Sequence, residues 1–357
     1  MLAAFVLIIV SSQDIQPIFA DHCVQCHRAG GMAPFSVETF EQARPWAKSI
    51  ARAVANKDMP PFGAGGPIGK WVDDPRLTED EIAAVVAWTD APKRYDRIAY
   101  TAPVAANFEH AVSFEVDVPG NGLDYSKVIQ VENTLPAPIQ VVAFHWSAEG
   151  PAPIHHASMQ TRVRTGDKSE RVRMPLSLFV PGHRGAVIPD GYAVTLHPDT
   201  RLLAPVHIGP KDEPSKVAVT VAFREGRGAE LKALPEPIML ECDDGGFEIP
   251  ARSIYRRDAV KVAVSDMQIH AVTVHMHALG QSARLVTDNG VTVIEVPRYN
   301  ENWQLTYTLA EPLRLRGGTV LTAEFAWDNI EGAAPVEYGG ESTQEMGWIE
   351  IIWTPTD

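Results

Sequence analysis

Apolar and polar positions change rhythm once along this chain. From Asp14 to His22 the apolar residues fall at helical spacing and predict a short amphipathic helix, and Val37 to Asn56 reads as a second helical stretch broken near Pro45. Thr78 followed three residues later by Glu81 is a capping box. It opens a helix through Ile82, Val85, Val86 and Trp88 and closes an all-helical unit near Ala91. Ala99 to Asn107, Ala-rich and containing Pro103, reads as a linker. Beyond it, short β-rich runs such as Val128 to Val131, Ile139 to Phe144 and Val217 to Phe223 are punctuated by Pro and Gly, and helical periodicity nearly vanishes. A stretch of about 250 residues with this texture predicts two antiparallel all-β sandwiches rather than one. Their junction is expected near Leu234 to Pro237. The predicted layout is a multidomain chain: a signal-like segment at 1–13, a small all-α domain at 14–97, a linker at 98–108, and β-sandwiches at 109–235 and 236–357.

Leu2 to Val10 is an unbroken apolar run that resembles the core of a secretory signal. No Lys or Arg precedes it and no clear A-x-A site follows, a pattern that fits a truncated or misplaced start. The run falls short of the roughly 20 apolar residues of a spanning helix. We therefore expect a periplasmic or otherwise exported protein with no transmembrane span. The 357 residues carry 31 Lys and Arg against 45 Asp and Glu, a formal charge of -14 that argues against nucleic acid or anionic lipid as a partner.

Cys23-Val24-Gln25-Cys26-His27 changes the picture most. The spacing lets two thioethers hold a haem while the next imidazole ligates its iron. A redox-disulfide reading of the same C-x-x-C needs a βαβ context, whereas the flanking segments read as helix, loop and helix. Met59 is the candidate second axial ligand, and Met32, only five residues after His27, is its rival. With Cys23 and Cys26 committed, Cys242 has no partner and no disulfide framework is expected. Its plainest reading is a buried thiol.

Two histidine patterns mark the β-rich part. His275-Met276-His277 lies in the run Val272 to Leu279, where residues i and i+2 of a strand share a side, a strand-type chelate. In His155-His156 neighbouring residues face opposite ways, so joint ligation requires a bulge or an unusual torsion. Each pair alone is equally readable as structural. His207 and Met346, with His270 as an alternative, complete a possible set. Two imidazoles plus a thioether favour Cu(I) over Zn or Mg, and a three-imidazole site accepts copper with zinc competing. His22, His110, His145, His183 and His197 have no partner pattern and read as surface or satisfied core histidines.

Taken in order, His155-His156, His207, His275-Met276-His277-Ala278-Leu279-Gly280 and Glu345-Met346 resemble the copper type II, ascorbate-dependent monooxygenases, the family of peptidylglycine alpha-hydroxylating monooxygenase and dopamine beta-hydroxylase. The likeness spans roughly residues 110 to 357 and includes Tyr299-Asn300-Glu301-Asn302-Trp303-Gln304 and Trp327-Asp328-Asn329. The first 95 residues are similar to the cytochrome c domains that bacteria fuse to this module. The resemblance implies jelly-roll-like sandwiches, two coppers and one covalent haem c. By it, His155, His156 and His207 hold an electron-storing copper, and His275, His277 and Met346 hold the oxygen-binding, catalytic copper. Implied partners are O2, a small-molecule substrate and an external electron donor, and the implied reaction is hydroxylation of a substrate C–H bond. Departures narrow the substrate: Thr273 stands where the peptide-hydroxylating members carry a carboxylate-binding arginine, and Trp348 and Glu350 replace an asparagine and a tyrosine. A peptide-glycine end is therefore disfavoured. The alternatives are a non-hydroxylating haem and copper electron-transfer or copper-binding protein, and a haem domain tethered to a carbohydrate-binding or adhesive β-sandwich.

Overall fold

The computed structural model describes residues 15–29, 31, 33–100, 108–123, 125–149, 154–165, 168–180, 185–209, 211–227, 230–242, 246–340 and 343–356, without the side chains of 149, 155, 162–165 and 168–177. The signal-like segment, Met32, His183 and residues 101–107 of the expected linker lie outside the described residues. Two compact units emerge, one from residues 1–62 and 75–104 and the other from 63–74 and 105–357.

The first unit is helical. It contains α1 (Ile15–His22), α2 (Phe40–Ala43), α3 (Ala47–Ala55) and α4 (Glu79–Asp90), with a 3-10 turn at Arg44–Trp46 joining α2 to α3. Pro45 lies in that turn, where its missing N–H and its ring would interrupt a continuous α-helix. At α4 the Thr78 hydroxyl accepts from the Glu81 amide while the Glu81 carboxylate accepts from the Thr78 amide at 2.8 Å. Such a cap contributes about 1 kcal/mol. Phe19, Val24, Phe40, Ile50, Val54, Val85 and Trp88 share one core, and Phe19 meets Trp88 edge-on at 5.2 Å.

The second unit is mostly β and mostly antiparallel. Its first half runs β1 (His110–Val118), β2 (Tyr125–Val131), β3 (Ile139–Glu149), β4 (Ile154–Thr165), β5 (Lys168–Phe179), β6 (Ala186–Val187), β7 (Tyr192–Leu196), β8 (Arg201–Ile208), β9 (Ser215–Glu225) and β10 (Lys232–Ala233). One sheet has the order β1-β9-β3-β7-β10, with β6 beside β3, and the other the order β2-β8-β4-β5. Val116, Val141, Phe144 and Phe223 from the first sheet pack with Ala157, Met159, Leu202 and Val206 from the second in a single core.

Its second half runs β11 (Ile238–Glu241), β12 (Glu248–Ile249), β13 (Ile254–Val262), β14 (Met267–Met276), β15 (Gly280–Thr287), β16 (Thr292–Val296), β17 (Thr306–Leu315), β18 (Val320–Asp328), β19 (Val336–Glu337) and β20 (Gly347–Pro355). The sheets are β11-β20-β14-β17 and β13-β18-β15-β16, with β12 paired to β19. β14 is buried on both faces. Val272, Val274 and Met276 point one way, while Ala271 on the other face joins Ile352 in the core of the first half. Thr273 and His275 share the Ala271 face, since two-residue steps keep to one side of a strand.

Residues 63–74, inside the 14–97 span expected for the helical domain, cluster with the second unit. Trp71 bridges Leu309, the Val72 amide donates to the Thr308 carbonyl at 2.8 Å, and the Ala310 amide donates to the Lys70 carbonyl at 2.9 Å. The Gly65 amide reaches the Glu295 carbonyl at 2.7 Å. β17 and β16 end their respective sheets, so one segment occupies hydrogen-bonding groups on two sheet edges that would otherwise invite pairing with another chain.

Candidate functional site

The C-x-x-C-H sequence continues the last turn of α1. The Cys23 amide donates to Phe19 and the His27 amide to Cys23, at 3.1 and 2.9 Å. Cys23 and His27 are thus one helical turn apart, on one face. No disulfide joins the two cysteines, and burial pushes Cys23 up to about 12 and Cys26 up to about 11. A disulfide-exchange pair needs a lowered thiol pKa, so this environment speaks against that chemistry. Burial lowers the His27 pKa, and its Nδ1 lies 3.1 Å from the Phe35 carbonyl. Donation from Nδ1 leaves the lone pair on Nε2, the tautomer an axial ligand needs. Phe35 packs on His27 and Trp46 stacks on Phe35, at centroid distances of 4.3 and 4.7 Å. Met59 follows the C-terminus of α3, its amide donating to Ala53 at 3.2 Å, and is 39% exposed.

The adjacent pair His155-His156 meets a break in register. β4 and β8 align Ile154 with Ile208 and then His156 with His207, so two residues of β4 oppose one of β8 at His155. That extra residue shifts the in–out phase. Ile154 and Ala157 point into the core, as do Leu202, Ala204, Val206 and Ile208 of β8. His156 and His207 consequently share the opposite face, directly across from each other, with ring centroids 5.0 Å apart. The side chain of His155 lies outside the described residues.

His275 ends the regular part of β14 and His277 lies just past it, with ring centroids 5.0 Å apart and planes at 89°. Both rings are tied from behind. His275 Nδ1 is 2.6 Å from Gln304 Oε1, and His277 Nδ1 is 2.7 Å from the Gln344 carbonyl. Trp348, the β20 partner of His275, stacks on its ring at 4.7 Å. Met346 is joined to this pair through Glu345. That carboxylate, 1% exposed, accepts from the His277 amide at 3.1 Å, the Leu279 amide at 2.6 Å and the Trp327 indole at 3.1 Å. Burial raises the Glu345 pKa, and the Leu279 amide is the foremost group opposing that rise. The Met346 carbonyl accepts a second contact from the same indole at 3.2 Å. Gly280 closes the turn after the histidines, where a Cβ would lie 2.7 Å from both Met276 Cβ and Tyr299 Cδ1.

Comparison with known proteins identifies the N-terminal part of the chain. The cytochrome c family matches residues 12–90. These residues form a cytochrome c domain. No curated protein matches the chain. Among solved structures, N-glycanase F (PNGase F) is 8% identical over 69% of this chain and 97% of its own, with a TM-score of 0.29. The major capsid protein P2 of bacteriophage PM2 is 9% identical over 68% and 96%, with a TM-score of 0.25. Scores this low carry no conclusion about fold or function.

Beyond the cytochrome c domain, the histidines meet as two pairs. Among the described residues no three His, Cys, Asp or Glu side chains converge as a metal site. The third donors implied by the resemblance are His155, whose side chain is not described, and Met346, a thioether. His270 takes another role, with Nε2 2.8 Å from the Thr354 hydroxyl. Cys242 is buried. Sequence reasoning gave no task to Tyr299 or Gln304. Their signal was a polar-aromatic stretch, Tyr299 to Gln304, standing just before the alternating run that becomes β17.

Proposed function

We propose that this chain is a copper-dependent monooxygenase that hydroxylates a small organic substrate with O2, drawing electrons through the c-type haem of its own cytochrome c domain. One observation carries the reading: His275 and His277 are each tethered at Nδ1 to an oxygen acceptor, with their rings 5.0 Å apart and the Met346 loop fastened to the same strand end by Glu345. Two imidazoles and a thioether form a donor set that fits copper. The His156–His207 pair and the break in register at His155 support a second site of three imidazoles.

In this reading residues 109–235 and 236–357 are jelly-roll-like β-sandwiches, supported in the first half by a core to which both sheets contribute. Cys23, Cys26, His27 and Met59 would hold the haem, and the coppers would take His155, His156, His207 and His275, His277, Met346. When bound, haem supplies one-electron transfer, and copper supplies O2 reduction and C–H hydroxylation. The remaining work falls to side chains. Gln304 and the Gln344 carbonyl orient the imidazoles, and Trp348 covers one face of His275. Thr273, at the position where a carboxylate-binding cation would be needed, is buried and bonded to Thr306 and Glu350, which disfavours a substrate carboxylate there. One oxygen atom enters the substrate and the other leaves as water, with two electrons and two protons supplied. Export, which haem attachment outside the cytoplasm requires, is part of the same proposal; no helix among the described residues is long and apolar enough to cross a membrane.

The test is a metal count on protein matured in an exporting host, followed by anaerobic reduction and exposure to O2. One iron and two coppers per chain, with O2 uptake that requires copper, are expected. Haem cycling without O2 uptake would leave the electron-transfer alternative, and iron without copper would remove the oxygenase reading.

A further inference from the structure

We propose that Gln304 is a positioning residue that selects which nitrogen of His275 is presented to the metal; this rests on the copper reading above. β17 leaves β14 early. The last residues paired between them are Thr273 and Thr306, so among the described residues no strand pairs with the β17 side of β14 at His275 and Met276. Side chains from 299–304 replace the missing strand. The Tyr299 hydroxyl accepts from the Met276 amide at 2.9 Å and donates to the Met276 carbonyl at 2.8 Å, pinning the backbone between the two histidines. Gln304, only 5% exposed, places Oε1 2.6 Å from His275 Nδ1.

The two imidazoles are held differently. The acceptor of His277 is a main-chain carbonyl, which can only accept. The acceptor of His275 belongs to an amide with two chemical ends. With the oxygen facing Nδ1, the proton sits on Nδ1 and Nε2 keeps its lone pair; with the NH2 facing Nδ1, the proton moves to Nε2 and blocks it as a ligand. Trp348 cannot make this choice. Its stacking at 22° fixes the plane of the ring, and a π face does not distinguish the tautomers. Orientation of the Gln304 amide therefore determines whether the strand-type chelate has two donors or one.

Two variants read this out in opposite directions. Gln304→Glu presents only acceptor atoms, so the Nδ1–H tautomer is locked. Cu(I) affinity, measured by competition with a chromophoric chelator, should stay within a few fold of wild type, and the Cu(II)/Cu(I) potential should fall as the imidazole becomes more basic. Gln304→Leu removes the acceptor and should weaken Cu(I) binding by about 10- to 100-fold, the usual effect of losing such a partner. A merely structural residue would give the reverse order, because an apolar side chain is tolerated in this buried place better than a carboxylate. Leu binding copper as wild type does, or Glu failing as badly as Leu, overturns the inference alone. A His275→Ala variant that retains the full copper content of wild type overturns the copper reading together with it. Nitrogen NMR of His275 in copper-free wild-type protein needs no variant: a proton on Nδ1 is expected, and a proton on Nε2 refutes the assignment.

Discussion

The haem-binding turn and the paired histidines of the β-rich unit are built by opposite means. Cys23, Cys26 and His27 occupy one turn of chain, closed by a hydrogen bond from the His27 amide to the Cys23 carbonyl. His156 and His207 come from different strands and meet only because register and one extra residue bring them onto the same face. Local geometry fixes the first site wherever that turn forms. The second exists only in the folded sheet, and a one-residue slip of β8 would send His207 into the core.

The largest effect separates the two directly. Replacing Cys23 and Cys26 by Ala should abolish covalent haem, seen as loss of haem staining on the denatured polypeptide, while copper content stays unchanged; a parallel loss of copper would show that the sites are not independent. Next, His207→Ala should reduce copper from two to one per chain with the haem spectrum intact. Unchanged metal content would remove His207 from the site. Trp71→Ala probes the long-range construction without touching either site. Trp71 is 2% exposed, its indole donates to the Gly65 carbonyl at 2.9 Å, and it packs on Tyr307. Its truncation should destabilise the β-rich unit by about 3–5 kcal/mol in denaturant unfolding. A loss under 1 kcal/mol, on the same scale for buried aromatic truncation, would contradict that packing.

The smallest effect lies in the local region and depends on pH. Glu38 accepts from the Ala29 amide at 2.7 Å and the Ser36 hydroxyl at 3.2 Å, and the Ala29 bond leads in holding its carboxyl below the ordinary range. A depressed carboxylate pKa stabilises the fold above the unfolded value of about 4.3 and loses that contribution as pH falls through the folded value. The melting-temperature gap between wild type and Glu38→Gln should therefore be flat at neutral pH and shrink in acid. A gap that widens on acidification has the wrong sign.

Legibility followed the same divide. The break at Pro45, the capping box at Thr78 and Glu81, and the C-x-x-C-H turn could all be read from short windows of sequence, because each depends on neighbours within one or two turns. The β-rich texture was also legible, since alternation is local. The sequence showed that His155-His156 needs a bulge for joint presentation, but the pairing of His156 with His207 depends on strand register, which periodicity does not encode. Tyr299 and Gln304 stood in a stretch that carries the resemblance, but their contacts were hidden for the same reason. Their role arises where β17 departs from β14, a tertiary event that leaves backbone and ring nitrogens to be satisfied by side chains. The diversion of 63–74 was equally hidden, for it depends on edges formed by β16 and β17 more than two hundred residues later.

That diversion makes the chain cross between its two units at 62/63, 74/75 and 104/105. A simple end-to-end fusion would cross once. Severing the chain near residue 104 should consequently yield two pieces that still copurify, the shorter one lending Trp71 and its neighbours to the longer. Removing residues 1–104 as a cassette would strip cover from two sheet edges, because Gly65 and Val72 bond to β16 and β17.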